Sequence, residues 1–215
     1  MELLAAAADL VLHLDVHLES LVRDYGSWVY AILFAIIFSE TGLVVTPILP
    51  GDSLLFVAGA LAALGGLDVH LLVVLLVLAA ILGNSVNYAI GRWLGEHFFT
   101  DRRARWLNPA YLERTHAFYE RYGALAVVIS RFVPIVRTYV PFVAGLGSMH
   151  HLRFTACNAA GALLWVASLC YAGYFFGNIA WVRQNLTAII VAIVAVSLVP
   201  VGVAALRARS GARTL

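Results

Sequence analysis

From Val69 through Ile90 the chain carries no Asp, Glu, Lys or Arg, and this run constrains the fold more than any other feature. A hydrocarbon core about 30 Å thick is crossed by roughly 20 apolar residues in an α-helix. Within lipid only helices and closed barrels satisfy their own backbone hydrogen bonds. Residues 69–94 are therefore read as a membrane crossing, and residues 154–177 and 186–206 as two more. A water-soluble core does not account for the composition: 62% of the 215 residues are hydrophobic and 12% charged, against roughly 25% charged in ordinary soluble domains.

Two further apolar stretches are broken. The stretch from Trp28 to Leu64 is interrupted by Ser39-Glu40-Thr41-Gly42 and by Pro47-Ile48-Leu49-Pro50-Gly51-Asp52. That from Ala124 to Gly147 is interrupted by Arg131, Pro134, Arg137 and Pro141. Proline lacks the N–H that continues a helix and crowds the preceding turn. Each stretch is read as a re-entrant helical hairpin, with Pro47, Pro50 and Gly51 breaking the first and Pro134 and Pro141 the second. Freed backbone groups are tolerated at membrane depth only when buried in protein or lining a wet cavity, so the breaks imply a cavity. Residues 96–121, with five arginines among four acids, read as an interfacial segment, helical from Pro109. Residues 1–24 place leucines at helical spacing between Asp9, His13, Asp15, His17 and Glu19, as in an amphipathic surface helix. They lack the basic start of a cleavable signal peptide.

The sequence also repeats itself. Tyr25-Gly26 and Tyr122-Gly123 open matching units, Phe56-Val57-Ala58-Gly59 answers Phe142-Val143-Ala144-Gly145, and Tyr88-Ala89 with Gly91 and Gly95 answers Tyr171-Ala172 with Gly173 and Gly177. Each unit is a hairpin followed by one crossing, so successive units enter from opposite faces, as in inverted-repeat transporters. The expected fold is an all-α polytopic membrane protein. It has an amphipathic helix (1–24), a transport domain (25–180, with repeats at 25–95 and 122–177), and a C-terminal transmembrane helix with a basic tail (181–215). Six arginines lie from Arg92 to Arg121 and three follow Leu206, but only Arg183 lies between Asn178 and Asn185. The positive-inside rule then puts the central segment and the C-terminus in the cytoplasm.

Glu40 and Asp52 lie in the first broken stretch, Arg131 and Arg137 in the second. Charges at bilayer depth cost about 2.5–3.5 kcal/mol each on insertion scales, so all four require pairing, water or function. Structural ion pairing is the bland reading, and Asp52 could serve merely as the N-cap of the second limb. A carboxylic acid in low dielectric keeps its proton and a nearby guanidinium reverses this, which suits Glu40 and Asp52 to proton coupling. The planar forks of Arg131 and Arg137 suit a phosphate, and the turn at Pro134 lets both line one cavity. Ser53, Asn84, Ser130, Thr138 and Tyr139 are candidate lining residues. Asn87 and Asn158, like Asn84, read first as interhelical hydrogen-bond partners. Cys157 and Cys170, 13 residues apart in one apolar run, are about 20 Å apart on a helix and read as buried, unpaired thiols. No metal-ligand spacing or hydrolase motif is present, so neither cofactor nor enzyme activity is expected. With no clustered basic patch, no nucleic-acid partner is expected.

Phe38-Ser39-Glu40, Pro47, Pro50-Gly51-Asp52-Ser53, Gly83-Asn84, Tyr88, Gly91, Ser130-Arg131-Phe132-Val133-Pro134, Arg137, Pro141 and Ala144-Gly145 together resemble the DedA family, also called the SNARE-associated or VTT-domain family, over about residues 25–180. Many relatives have Glu where Asp52 stands. The resemblance implies a bacterial inner-membrane protein dependent on proton motive force. Some members recycle undecaprenyl phosphate across the membrane, and eukaryotic relatives scramble phospholipids. It also implies that positions matching Glu40, Asp52, Arg131 and Arg137 are required. The expected function is a flippase for a polyprenyl phosphate or another anionic phospholipid, with protons and membrane lipids as partners. A proton-coupled antiporter of small cations or cationic drugs is the alternative, since other members have been linked to efflux. A lipid phosphatase and a purely structural role are weaker readings. Whether the protein is a homo-oligomer is left open.

Overall fold

The computed structural model describes residues 24–42, 51–98, 123–147, 149–179, 181 and 192. Residues 1–23 of the amphipathic helix expected over 1–24, the breaks at Pro47 and Pro50, residues 99–121 of the polar segment expected over 96–121, and all but residue 192 of the span at 186–206 fall outside the described residues. What is described is helical, without a strand.

Among the described residues there are six α-helices: α1 (Trp28–Gly42), α2 (Gly51–Ala63), α3 (Val69–Phe98), a short α4 (Ala126–Ile129) between two 3₁₀ turns, α5 (Pro134–Leu146) and α6 (His151–Gly177). Two are long and apolar enough to cross a membrane, over Val69–Leu94 and His151–Gly177. The second begins three residues before the expected start at residue 154.

Local chemistry sets several of these ends. Asp68 caps α3 by accepting a hydrogen bond from the Leu71 N–H at 2.8 Å, satisfying one of the donors that a helix start leaves open. Between the second 3₁₀ turn (Ser130–Phe132) and α5 stands Val133 at φ −118°, ψ 103°. A residue before proline is pushed from helical to extended backbone, so the bend at Val133 follows from Pro134. Pro141 is a correction: it was expected to break the second stretch but lies inside α5. Its fixed φ fits a helix, and what it removes is the N–H that would bond the Arg137 carbonyl, so one hydrogen bond is lost without a break.

The chain divides into two compact units, one of residues 1–32, 50–74 and 167–215 and the other of 33–49 and 75–166. In the first, α2 is buried almost all round, from Ser53 to Ala62. A Cβ on Gly59 would overlap the Cys170 carbonyl, one on Gly173 the Phe56 carbonyl, and one on Gly177 would crowd Ala60. These glycines let the backbones of α2 and α6 touch. In the second unit, a Cβ on Gly145 would overlap the Tyr88 carbonyl and one on Gly91 the Phe142 carbonyl, so α5 meets α3 through an equivalent pair. Tyr88 anchors this unit's core: it stacks on Phe154 at 4.2 Å, meets His151 edge-on, and donates its hydroxyl hydrogen to the Met149 carbonyl. Along α3, Leu71, Val74, Leu78, Leu82, Val86, Ile90 and Trp93 form an exposed apolar stripe at three- and four-residue spacing. Cys157 and Cys170 carry free thiols on one continuous helix.

Candidate functional site

The described residues that line the candidate pocket all belong to the second unit. On α1, Leu33, Ile37 and Glu40 recur on one buried face, so Glu40 extends an apolar stripe inward rather than sitting on a polar edge. The end of α1 reaches α3 at Gly83, where an added Cβ would strike the Thr41 hydroxyl and the Phe38 carbonyl. Thr41 spends its hydroxyl on its own helix, donating to the Ile37 carbonyl at 2.8 Å.

Arg131 sits in the second 3₁₀ turn and Arg137 in the opening turns of α5. The bend at Val133 brings both to one pocket, lined by Glu40, Thr41, Asn84, Arg131, Arg137, Thr138 and Trp165, with room for no more than about one water molecule. Arg137 donates from Nη2 to the Glu40 carboxylate, forming an ion pair. Arg131, 4% exposed, donates from Nη2 to the Ala80 carbonyl at 3.2 Å and to Asn158 Oδ1 at 2.7 Å. The centres of the two guanidinium groups lie 5.8 and 5.6 Å from the Trp165 ring centroid, within cation–π range.

Helix α6 is shaped around Arg131. Asn158, Gly161 and Trp165 are spaced three and four residues apart and share one helical face. Asn158 accepts the guanidinium hydrogen bond. A Cβ on Gly161 would lie 3.2 Å from Arg131 Cδ and 3.3 Å from its Nε, so glycine leaves room for the stem. Trp165 lies against the charged head. The rest of the polar seam joins helices: Asn84 Nδ2 donates to Asn158 Oδ1 at 3.1 Å, and Asn87 Nδ2 to the Thr138 carbonyl at 2.9 Å.

Of the residues expected from sequence, Glu40, Asn84, Arg131, Arg137 and Thr138 line this pocket. Ser130 and Tyr139 do not, and the Ser130 hydroxyl is committed to the Val127 carbonyl at 3.0 Å, which removes it as a group aimed at a substrate. Asp52 stands in the first turn of α2 with buried Ser53 beside it, both in the first unit. The sequence reading missed Trp165 and Gly161, and it weighed Asn158 only as a helix-packing residue. The signal that finds them is an Asn-x-x-Gly-x-x-x-Trp pattern, which sets all three on one face.

Known proteins resemble this chain closely. The VTT domain matches residues 49–175. Over 202 residues the chain is 56% identical to Protein DedA of Escherichia coli K12, covering 93% of this chain and 92% of that protein. It is 41% identical over 180 residues to the uncharacterized membrane protein ML0287 of Mycobacterium leprae, covering 83% and 81%. With the inner membrane protein YqjA of Escherichia coli K12 it shares 41% identity over 152 residues, covering 69% and 68%. No solved structure matches the chain. With a VTT match over more than half its length and a relative of this identity along nearly all of it, the chain belongs to the VTT-domain, or DedA, family of membrane proteins.

Proposed function

We propose that this protein is a transporter that carries the phosphate headgroup of a polyprenyl phosphate, undecaprenyl phosphate in a bacterial inner membrane, through the pocket of Arg131 and Arg137, coupled to protons. The observation that carries the reading is the Glu40–Arg137 ion pair beside Arg131. A carboxylate already occupies one arm of a two-arginine anion site. Phosphate and the Glu40 carboxylate are competitors for Arg137, and protonation of Glu40 would break the pair and free the guanidinium for a bidentate phosphate contact. Asp52 is assigned a second proton-coupling role on its place in the family pattern alone.

The same reading takes the protein as multi-pass with a cytoplasmic C-terminus, its transport domain over residues 25–180 built of two inverted hairpin-plus-crossing repeats. Two features support the repeat: Gly26 and Gly123 both adopt positive φ, 52° and 56°, and paired glycine contacts recur in each unit, Gly59 and Gly173 in one and Gly145 and Gly91 in the other. The small pocket also favours a second reading, exchange of a small cation held by Glu40. Arg131 argues against it, because its hydrogen bonds go to neutral acceptors and its charge would repel a cation from the same pocket.

The test is translocation of undecaprenyl phosphate in proteoliposomes, with and without an imposed pH gradient. The parent should move the lipid faster with the gradient, Glu40→Gln should lose the response to it, and Arg131→Lys should lose most transport because an ammonium cannot bind bidentately. A parent that leaves the lipid in place would shift the case to cation flux, measurable on the same vesicles.

A further inference from the structure

The two arginines share a pocket but not an electrostatic situation. Arg137 faces a carboxylate. Arg131 donates to a backbone carbonyl and to an amide oxygen, and its buried Nε–H has no acceptor among the described residues. The amide is held in one orientation. Asn158 is fully buried, and its Nδ2 donates to the Ile81 carbonyl at 3.0 Å and approaches Ser85 Oγ at 3.5 Å, while its Oδ1 accepts from both Asn84 and Arg131. Turning the amide over would set donor against donor at Arg131 and acceptor against acceptor at Ile81. The oxygen therefore faces the guanidinium.

An aspartate here would offer an oxygen at the same place, and a stronger bond to the guanidinium, but it would also cancel the charge. We propose that Asn158 is the positioning residue that makes this pocket select anions: it fixes Arg131 through a neutral acceptor and leaves the positive charge uncompensated for the phosphate ester. The assignment rests on the transport reading for the identity of the anion. It adds that the two arginines divide the work, Arg137 being the arm that a carboxylate can close and Arg131 the charge that stays on.

Hexyl phosphate binding to the full chain in detergent, followed by titration calorimetry, tests this. Asn158→Asp should weaken binding about tenfold or more, the scale of one charge-assisted hydrogen bond. A purely structural Asn158 gives the opposite, because the new carboxylate keeps the acceptor: unchanged affinity in Asn158→Asp overturns the proposal while leaving the transport reading intact. A parent that binds no hexyl phosphate overturns the transport reading itself, and this assignment with it. If Asn158→Asp does not fold, Asn84→Asp places the same charge on the pocket from α3. The same weakening is expected there, and parental affinity in that variant overturns the proposal.

Discussion

Glu40 and Arg137 are bound by mutual dependence. Removing one partner of a buried ion pair leaves an uncompensated charge and costs about 3–5 kcal/mol, whereas replacing both with neutral groups is often near neutral. Arg137→Gln should therefore destabilise the protein by that order, and addition of Glu40→Gln should recover most of it, as read by unfolding in mixed detergent micelles. Translocation should not recover with stability, because in the proposed cycle the pair has to open. A pair that was only structural would give back both together. Trp165 has a separate part: it lies near both guanidinium groups, so Trp165→Leu removes two cation–π contacts and should weaken alkyl phosphate binding by about tenfold. Glu40, Arg131 and Arg137, which line the pocket, were legible in the sequence, because charge within an apolar run stands out. Their partners were not. Asn158 and Trp165 are ordinary residues of a spanning helix until the bend at Val133 delivers two arginines to their face.

Helices in this protein approach one another through glycine, and the approach is intolerant of side chains. In one unit Gly173 admits the Phe56 carbonyl, and in the other Gly91 admits the Phe142 carbonyl. Gly173→Leu and Gly91→Leu should each cost about 1–3 kcal/mol through forced separation of the helices, measured as a shift in the detergent unfolding midpoint. The Gly91 variant should in addition impair alkyl phosphate binding, because α5 carries Arg137. At this scale the sequence spoke clearly about spans and less clearly about breaks. The crossing read at 69–94 stands within α3, since the run from Val69 through Ile90 without Asp, Glu, Lys or Arg leaves little choice. Pro134 bends the chain through its effect on Val133, but Pro141 sits within α5. Both are prolines in apolar sequence. The difference is position: one stands at the first turn, where no hydrogen bond is lost, and the other in a helix whose neighbours hold it together despite the missing bond.

For the molecule as a whole, the pocket's small size has a consequence in charge. Among the described residues its lining holds one carboxylate and two guanidinium groups, so with Glu40 ionised and no substrate bound these carry a net charge of +1. Protonated and loaded with a phosphate dianion, the same pocket is neutral. In the proposed cycle the loaded step is therefore indifferent to membrane voltage, while the empty return moves about one positive charge through the field, worth about 2.3 kcal/mol per 100 mV. Clamping the vesicle potential with a potassium gradient and valinomycin should change the turnover rate even where the pH is equal on both sides. The polarity that speeds return would reveal which way the empty pocket travels. In that cycle a membrane potential without any pH gradient still biases the return of the empty pocket, through an arginine that no carboxylate among the described residues answers.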